Sequence, residues 1–500
     1  MIFELICLFV GYFFFHHFYL KRKDLPPGPT PLPLIGNMLS IANDNVEPSL
    51  KQWTKQFGDI YTIWFGTTPL VVVNDYKTTY ETFLKDGEAY SGRYYAEGFK
   101  YIRKGYCGVA FTDGPLWSEH RRFVLRVLRD FGLGKNLMQE RVLAVVDSLI
   151  EDVKNDVRSG KKVISLLDDI DRGVGSVITS LLFGYRYNRS QNDEFRKNKK
   201  LIQDLLASGA NFWWSLIEKS PEFVKHLPFL RNVTAKVQHV SDELANFYYD
   251  EINKHRAKID LDSTEEPTDY VEAFLREQQK LGKSGEKQHT FTDYQLYGMC
   301  SDLWLAGQET TSTTLGWVIN YLVRHQGVQQ KLQDELDQVI GSDRPVTMED
   351  KNQLNYVNAV VAECQRMASL LPVNLWHTTT KGVEIHGYKL PAGTKITYQM
   401  SQIFNNDKYF KNPDKFDPER FLDKTGKFFS PPELIPFGIG KRVCLGEGLA
   451  RMELYLFTAN IFNQFKVKPA YGQMPSDHRH YKTSIVCSPF NCEIEPRYTL

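Results

Sequence analysis

The sequence predicts a mainly α-helical fold with small β-sheets, set behind a separate apolar N-terminal segment. Three observations carry this. Helical periodicity dominates from residue 46 to 370, with few strand-like pieces. The stretch from Thr292 to about Arg324 contains no proline and is interrupted only by Gly298, Gly307 and Gly316, so it reads as one helix of ~50 Å. Val383 to Ile396, punctuated by Gly387, Pro391 and Gly393, reads as a small hairpin.

From the N-terminus, Ile2 to Leu20 is nearly all apolar and is followed at once by Lys21, Arg22 and Lys23. Nineteen helical residues reach ~29 Å, about one hydrocarbon core. The n-region carries Glu4 instead of basic residues, and charges follow the apolar run where a small-residue cleavage site would stand. A retained anchor is therefore expected over 1–20, with the basic flank keeping the remainder in the cytosol. Pro26 to Pro33 holds five prolines in eight residues, which excludes a helix and predicts a stiff, extended spacer. The expected organisation is an anchor at 1–20, a basic flank and proline-rich hinge at 21–37, and one large domain at 38–500.

Further along, Val328, Leu332, Leu336 and Ile340 repeat at helical spacing until Gly341 stops them, and Thr347 to Asp350 resembles a capping box. The net charge of +1, without a basic tail, excludes a nucleic-acid partner. The seven cysteines (Cys7, Cys107, Cys300, Cys364, Cys444, Cys487 and Cys492) show neither metal-cluster spacing nor a disulfide framework, which suits a reducing compartment. Asn188-Arg189-Ser190 and Asn232-Val233-Thr234 match the glycosylation pattern, but a cytosolic domain leaves them unmodified.

The chemistry concentrates in Phe437 to Gly446, FGIGKRVCLG. Cys444 precedes an apolar run at helical spacing, Leu445, Leu449, Met452 and Leu456. A helix N-terminus stabilises a thiolate through its dipole and unpaired N–H groups. Gly438 and Gly440 permit tight turns against a planar face where a Cβ would collide, and Arg442 can pair with a carboxylate. Together these suit a cysteine held as a thiolate under a flat metal cofactor. In the long helix, Ala306-Gly307-Gln308-Glu309-Thr310-Thr311 sets an acid beside an alcohol. Gly307 removes bulk so that a flat ligand can lie against the helix, and a hydroxyl backed by a carboxylate suits proton delivery.

The segment around Cys444 resembles the haem-binding loop of the cytochromes P-450, F-x-x-G-x-R-x-C-x-G, matched at Phe437, Gly440, Arg442, Cys444 and Gly446. The run at Ala306 resembles that family's A-G-x-[DE]-T-[TS] motif. Glu363 and Arg366 with Arg420 resemble its E-x-x-R helix and P-E-R-F segment, a core-locking triad. Trp117 and Arg121 resemble its W-x-x-x-R. The resemblance spans nearly the whole chain after the anchor and is strongest to the animal microsomal branch that oxidises drugs and lipids. It implies the cytochrome P-450 fold and haem b (iron protoporphyrin IX), with Cys444 as the iron ligand. The haem propionates would be held by Trp117, Arg121, His377, Arg442 and Arg93, with Ala306, Phe437 and Gly438 against the ring. Thr310 and Glu309 would serve proton delivery.

The implied activity is a monooxygenase that inserts one oxygen atom into a xenobiotic, fatty acid or sterol, the thiolate favouring O–O cleavage. Since no flavin or nicotinamide motif occurs, electrons must come from another protein; the resemblance implies NADPH-cytochrome P-450 reductase, with cytochrome b5 as a further candidate donor. Arg122, Arg126 and Arg129 form a basic stripe suited to an acidic partner. The implied location is the endoplasmic reticulum membrane, catalytic domain on the cytosolic side. A haem-thiolate isomerase or dehydratase and a non-enzymatic haem- or lipid-binding protein remain as alternatives. The substrate pocket is expected from Glu97 to Phe111, Ala207 to Leu230, Asp302, Ala306, Val373 to Leu375 and the region around Ile485. Phe212, Trp213, Trp214, Phe223 and Phe229 are divided between substrate and bilayer.

Overall fold

The computed structural model describes residues 2–41, 46–132, 136–209, 226–285, 288–481 and 484–499. Phe212, Trp213, Trp214 and Phe223 lie outside the described residues. Helices dominate, and the expected long helix is Asp293–Arg324, 32 residues, with the Thr292 side chain accepting the Gln295 N–H as its N-cap. It runs through the main core against helices Leu166–Phe183, Asn355–Ala368 and Glu447–Gln464. Gln326–Val339 follows, and Gly341 turns left-handed at φ 61° where that helix ends. At the box after it, Asp350 reaches back to the Thr347 N–H at 2.8 Å.

Strand content exceeds the sequence expectation. A five-stranded sheet takes Ile60–Phe65, Thr68–Val73, Lys395–Tyr398, His377–Thr378 and Gly92–Arg93 in that spatial order. Its first two strands form a hairpin whose residues are buried on both faces. Such strands lack the polar–apolar alternation that betrays a half-exposed one. The hairpin expected at 383–396 is real but shorter, Val383–Ile385 against Tyr388–Leu390. His386 and Gly387 turn it, both at positive φ. The next strand, Lys395–Tyr398, joins the larger sheet instead.

The N-terminal helix is Ile2–Phe18, 17 residues, followed by a 3-10 turn at Leu20–Arg22. Among the described residues no helix is long and apolar enough to cross a membrane. The proline-rich segment, expected as a stiff, extended spacer, lies against the first strand of the sheet. Pro27 accepts the Thr62 N–H at 2.9 Å, and Asn37 Oδ1 accepts the Trp64 N–H at 2.8 Å. Prolines that cannot donate thus cover the edge of the first strand and satisfy its backbone.

The triad of the core is as expected. Glu363 and Arg366, both fully buried, form a two-pronged pair at 2.7 and 2.8 Å. Arg420 Nε reaches Glu363 at 3.1 Å, and the Asp417 N–H adds a bond at 2.9 Å. Arg366 also donates to the Phe404 carbonyl at 3.0 Å. Removing one partner from such a pair leaves an uncompensated buried charge. Glu363→Ala is therefore expected to destabilise the fold by ~3–5 kcal/mol, read as a lower denaturation midpoint. An unchanged midpoint would refute the locking role.

Candidate functional site

The cysteine loop is built on the sheet. A 3-10 turn at Gly440–Arg442 leads into Cys444, whose N–H donates to the Phe437 carbonyl at 2.9 Å. Gly440 has φ +79°, and a Cβ there would fall 1.8 Å from the Phe83 carbonyl oxygen. At Gly438, φ +73°, a Cβ would meet the Tyr398 hydroxyl at 2.6 Å. These glycines therefore seat the loop on protein backbone and side chains. Phe437 is half-buried and carries the Arg451 guanidinium 4.8 Å from its ring centre.

Cys444 keeps exposed surface, although protein packs around its sulfur. Burial by the surrounding protein pushes its thiol up, while the N–H groups of Gly446 and Glu447 and the Arg121 charge pull it down. Burial wins, so the helix N-terminus alone does not make the thiolate. Arg121, half-buried, donates to the Val443 carbonyl at 2.7 Å, in the peptide joined directly to Cys444.

Beside this loop the fold gathers cations. The strand pairing sets Arg93 directly across from His377. Arg442 is buried, donates through Nε to the Ser91 carbonyl at 2.8 Å, and stacks 3.8 Å from the Trp117 ring centre. Arg121 lies 5.8 Å from the same ring. One carboxylate, Asp113, joins them; it accepts the Tyr106 hydroxyl at 2.7 Å and the Arg93 N–H at 3.1 Å. Burial lowers Arg93 to about 10 and Arg442 to about 9, with the arginines repelling one another and Asp113 opposing. Arg442 Nη1 and Nη2, Arg93 Nε and His377 Nε2 are buried without protein partners. Three guanidinium groups against one carboxylate leave an excess of two positive charges. Such a pocket fits a ligand bearing two carboxylates. Neither Asp113 nor Tyr106 was foreseen; Asp113 stands just before Gly114 and Pro115 at a helix start, but nothing local marks it as the partner of Arg93.

The long helix presents Ala306 exposed and Thr310 half-buried one turn apart, with Gln308 and Thr311 buried beside them. The Thr310 hydroxyl donates to the Ala306 carbonyl at 2.6 Å. Glu309 is half-buried. Gly307 faces the other way: a Cβ there would touch Ile178 at 3.0 Å. It lets the helix pack on Leu166–Phe183, so its expected part in seating a flat ligand is withdrawn and only Ala306 keeps it. Two pocket expectations also change. Asp302 is buried, paired with Arg103 at 2.7 Å, and accepts the N–H groups of Val109 and Ala110 at 2.8 and 2.9 Å. It latches the 97–111 loop to the helix instead of lining a pocket. Ile485 is fully buried in the main core.

The model for the family Cytochrome P450 matches residues 26–495. The chain belongs to the cytochrome P450 family. Among similar proteins, cytochrome P450 2C23 of Rattus norvegicus is 34% identical over 477 residues, 94% of this chain and 92% of that protein. Cytochrome P450 2C8 of Homo sapiens is 35% identical over 456 residues, 90% and 89% respectively. Cytochrome P450 2C5 of Oryctolagus cuniculus is 33% identical over 447 residues, 89% and 88%. As a cytochrome P450, this chain is a haem-thiolate monooxygenase, an oxidoreductase that acts on a lipophilic substrate with electrons from a redox partner. The excess of two buried positive charges beside the cysteine loop fits the two propionates of haem b.

Gly440→Ala places a left-handed alanine against the Phe83 carbonyl. A left-handed L-residue costs ~1–2 kcal/mol before any clash, so a clear fall in the thermal midpoint is expected. A midpoint equal to that of the unmodified protein would show that the loop does not rest on Phe83.

Proposed function

We propose that Cys444 ligates the haem iron and that Arg93, Trp117, Arg121, His377 and Arg442 hold the haem carboxylates. The observation that carries this reading is the set of unpartnered, buried nitrogens on Arg442, Arg93 and His377 around a cluster with excess positive charge. Charge-assisted bonds to carboxylates would satisfy them. Phe437 and Gly438 would frame the loop that holds the haem, and Ala306 would meet it from the long helix.

Haem, when bound, supplies the activation of dioxygen. The chain's own residues hold the cofactor, exclude water and manage protons. Thr310 Oγ1 holds a proton against the Ala306 carbonyl at 2.6 Å. Rotation away from the carbonyl lets the hydroxyl pass that proton on and take another. Glu309, adjacent in sequence, replenishes the relay. The Asp302 latch holds the 97–111 loop over this space, where Phe99 and Phe111 stack at 5.3 Å and offer an aromatic wall to an apolar substrate.

Residues 1–20 anchor the chain in the endoplasmic reticulum membrane, 21–37 link it and 38–500 form the catalytic domain on the cytosolic side. The support is the apolar helix Ile2–Phe18, which exposes Leu5, Leu8, Phe9, Phe13, Phe14 and Phe15, and the basic cluster after it. Electrons come from NADPH through cytochrome P450 reductase, with cytochrome b5 as a second donor. Arg122, Arg126 and Arg129 are exposed on the helix that carries Arg121, a stripe suited to an acidic donor.

Thr310→Ala tests the proton role. Haem content is expected to stay constant while product per NADPH consumed falls on the order of tenfold. That is below the full ~10²–10⁴ of a general acid because water substitutes in part, and the missing electrons appear as hydrogen peroxide. Unchanged coupling would remove Thr310 from the mechanism.

A further inference from the structure

His377 holds a ring whose protonation the geometry decides. Its Nδ1 lies 2.7 Å from the Tyr90 carbonyl oxygen. A carbonyl only accepts, so Nδ1 carries a hydrogen. A neutral imidazole has a single N–H, which leaves a lone pair on Nε2. That nitrogen is buried and has no protein partner.

The groups facing the ring are cationic. Arg93 approaches from the paired strand and Arg442 from the cysteine loop; burial first, then these two charges, hold His377 well below the ordinary histidine range, opposed only by the Tyr90 carbonyl. The Tyr398 ring from the adjoining strand lies 6.4 Å away and the Phe83 ring 4.9 Å. The cluster's carboxylate, Asp113, is engaged by Tyr106 and Arg93. In the protein alone His377 is therefore neutral, and its free nitrogen is an acceptor in a pocket assembled to receive anions. An acceptor cannot bond to a carboxylate.

We propose that binding of the haem carboxylates draws one proton from solvent onto Nε2 of His377, which then holds a carboxylate as an imidazolium. This rests on the assignment of the cationic pocket to haem. Two arriving negative charges cancel the excess of the arginines, and a carboxylate in contact with Nε2 then favours the protonated ring. No bond other than N–H is made, and the proton is the one species taken up. Haem retention is then linked to pH: it is strongest below the titration of His377 in the free protein and weakens as pH rises from there through the titration in the loaded protein.

The test uses the haem-loaded protein, reduced and carbon monoxide-bound so that it is diamagnetic, with ¹⁵N-labelled histidine. His377→Gln identifies the His377 signals by their loss. At pH 7 both ring nitrogens are expected to be protonated, with Nε2 losing its proton only at alkaline pH. An Nε2 in the unprotonated range at pH 7 overturns the proposal, including the case where the proton resides on the carboxyl. A second measurement needs no variant: haem transfer from the unmodified protein to apomyoglobin is expected to accelerate several-fold as pH rises through one titration. A flat profile overturns the proposal. Tight haem retention with a bare Nε2 refutes proton uptake alone, whereas protein that never retains haem refutes the pocket assignment and the proposal with it.

Discussion

Three guanidinium groups, two buried and one half-buried, with one carboxylate among them set the terms for this protein. Arg93, Arg121 and Arg442 repel one another in a region poor in water, and Asp113 offsets only part of that charge. The fold tolerates the arrangement because each cation is tethered: Arg93 to the Trp376 carbonyl, Arg442 to Ser91 and Trp117, Arg121 to Val443. What the tethers leave unsatisfied points to a dianionic ligand. Stability and function are thus coupled, since the group that completes the chemistry also completes the charge balance.

The same coupling reaches Cys444. Arg121 binds the carbonyl next to the cysteine, so the residue proposed to answer a carboxylate also positions the loop that carries the sulfur. The N–H groups of Gly446 and Glu447 favour a thiolate, but burial outweighs them. The protein supplies orientation and partial stabilisation, and under the proposed assignment of Cys444 as iron ligand the metal would supply the remainder. Behind the loop, the Phe83 carbonyl and Tyr398 hydroxyl fix its path, and the Glu363–Arg366–Arg420 network anchors the neighbouring core.

Local features were legible in the sequence. The long helix, the cysteine loop, the Glu363–Arg366 spacing and the Ala306–Thr310 turn each sit within a few residues of one another, where helical period and turn chemistry act directly. Features made by distant pairing were not. The hairpin at 60–73 is buried on both faces and so lacks alternation. Asp113, Tyr106, Ser91 and the Tyr90 carbonyl enter the site only because the sheet and the 97–111 loop bring them there. Gly307 and Gly438 were recognised as places for close approach, but periodicity cannot say what approaches; Ile178 and Tyr398 do. Asp302 was assigned to the pocket by its place on the helix, whereas the backbone N–H groups of Val109 and Ala110 claim its carboxylate.

The most direct test is the carbon monoxide difference spectrum of the reduced protein. A Soret band shifted strongly to the red is the predicted result, because it reports a thiolate opposite carbon monoxide and Cys444 is the cysteine placed to supply it. A band at the position of histidine-ligated haem, in protein shown by thermal unfolding to be folded, would contradict the central claim that this loop presents its sulfur to iron.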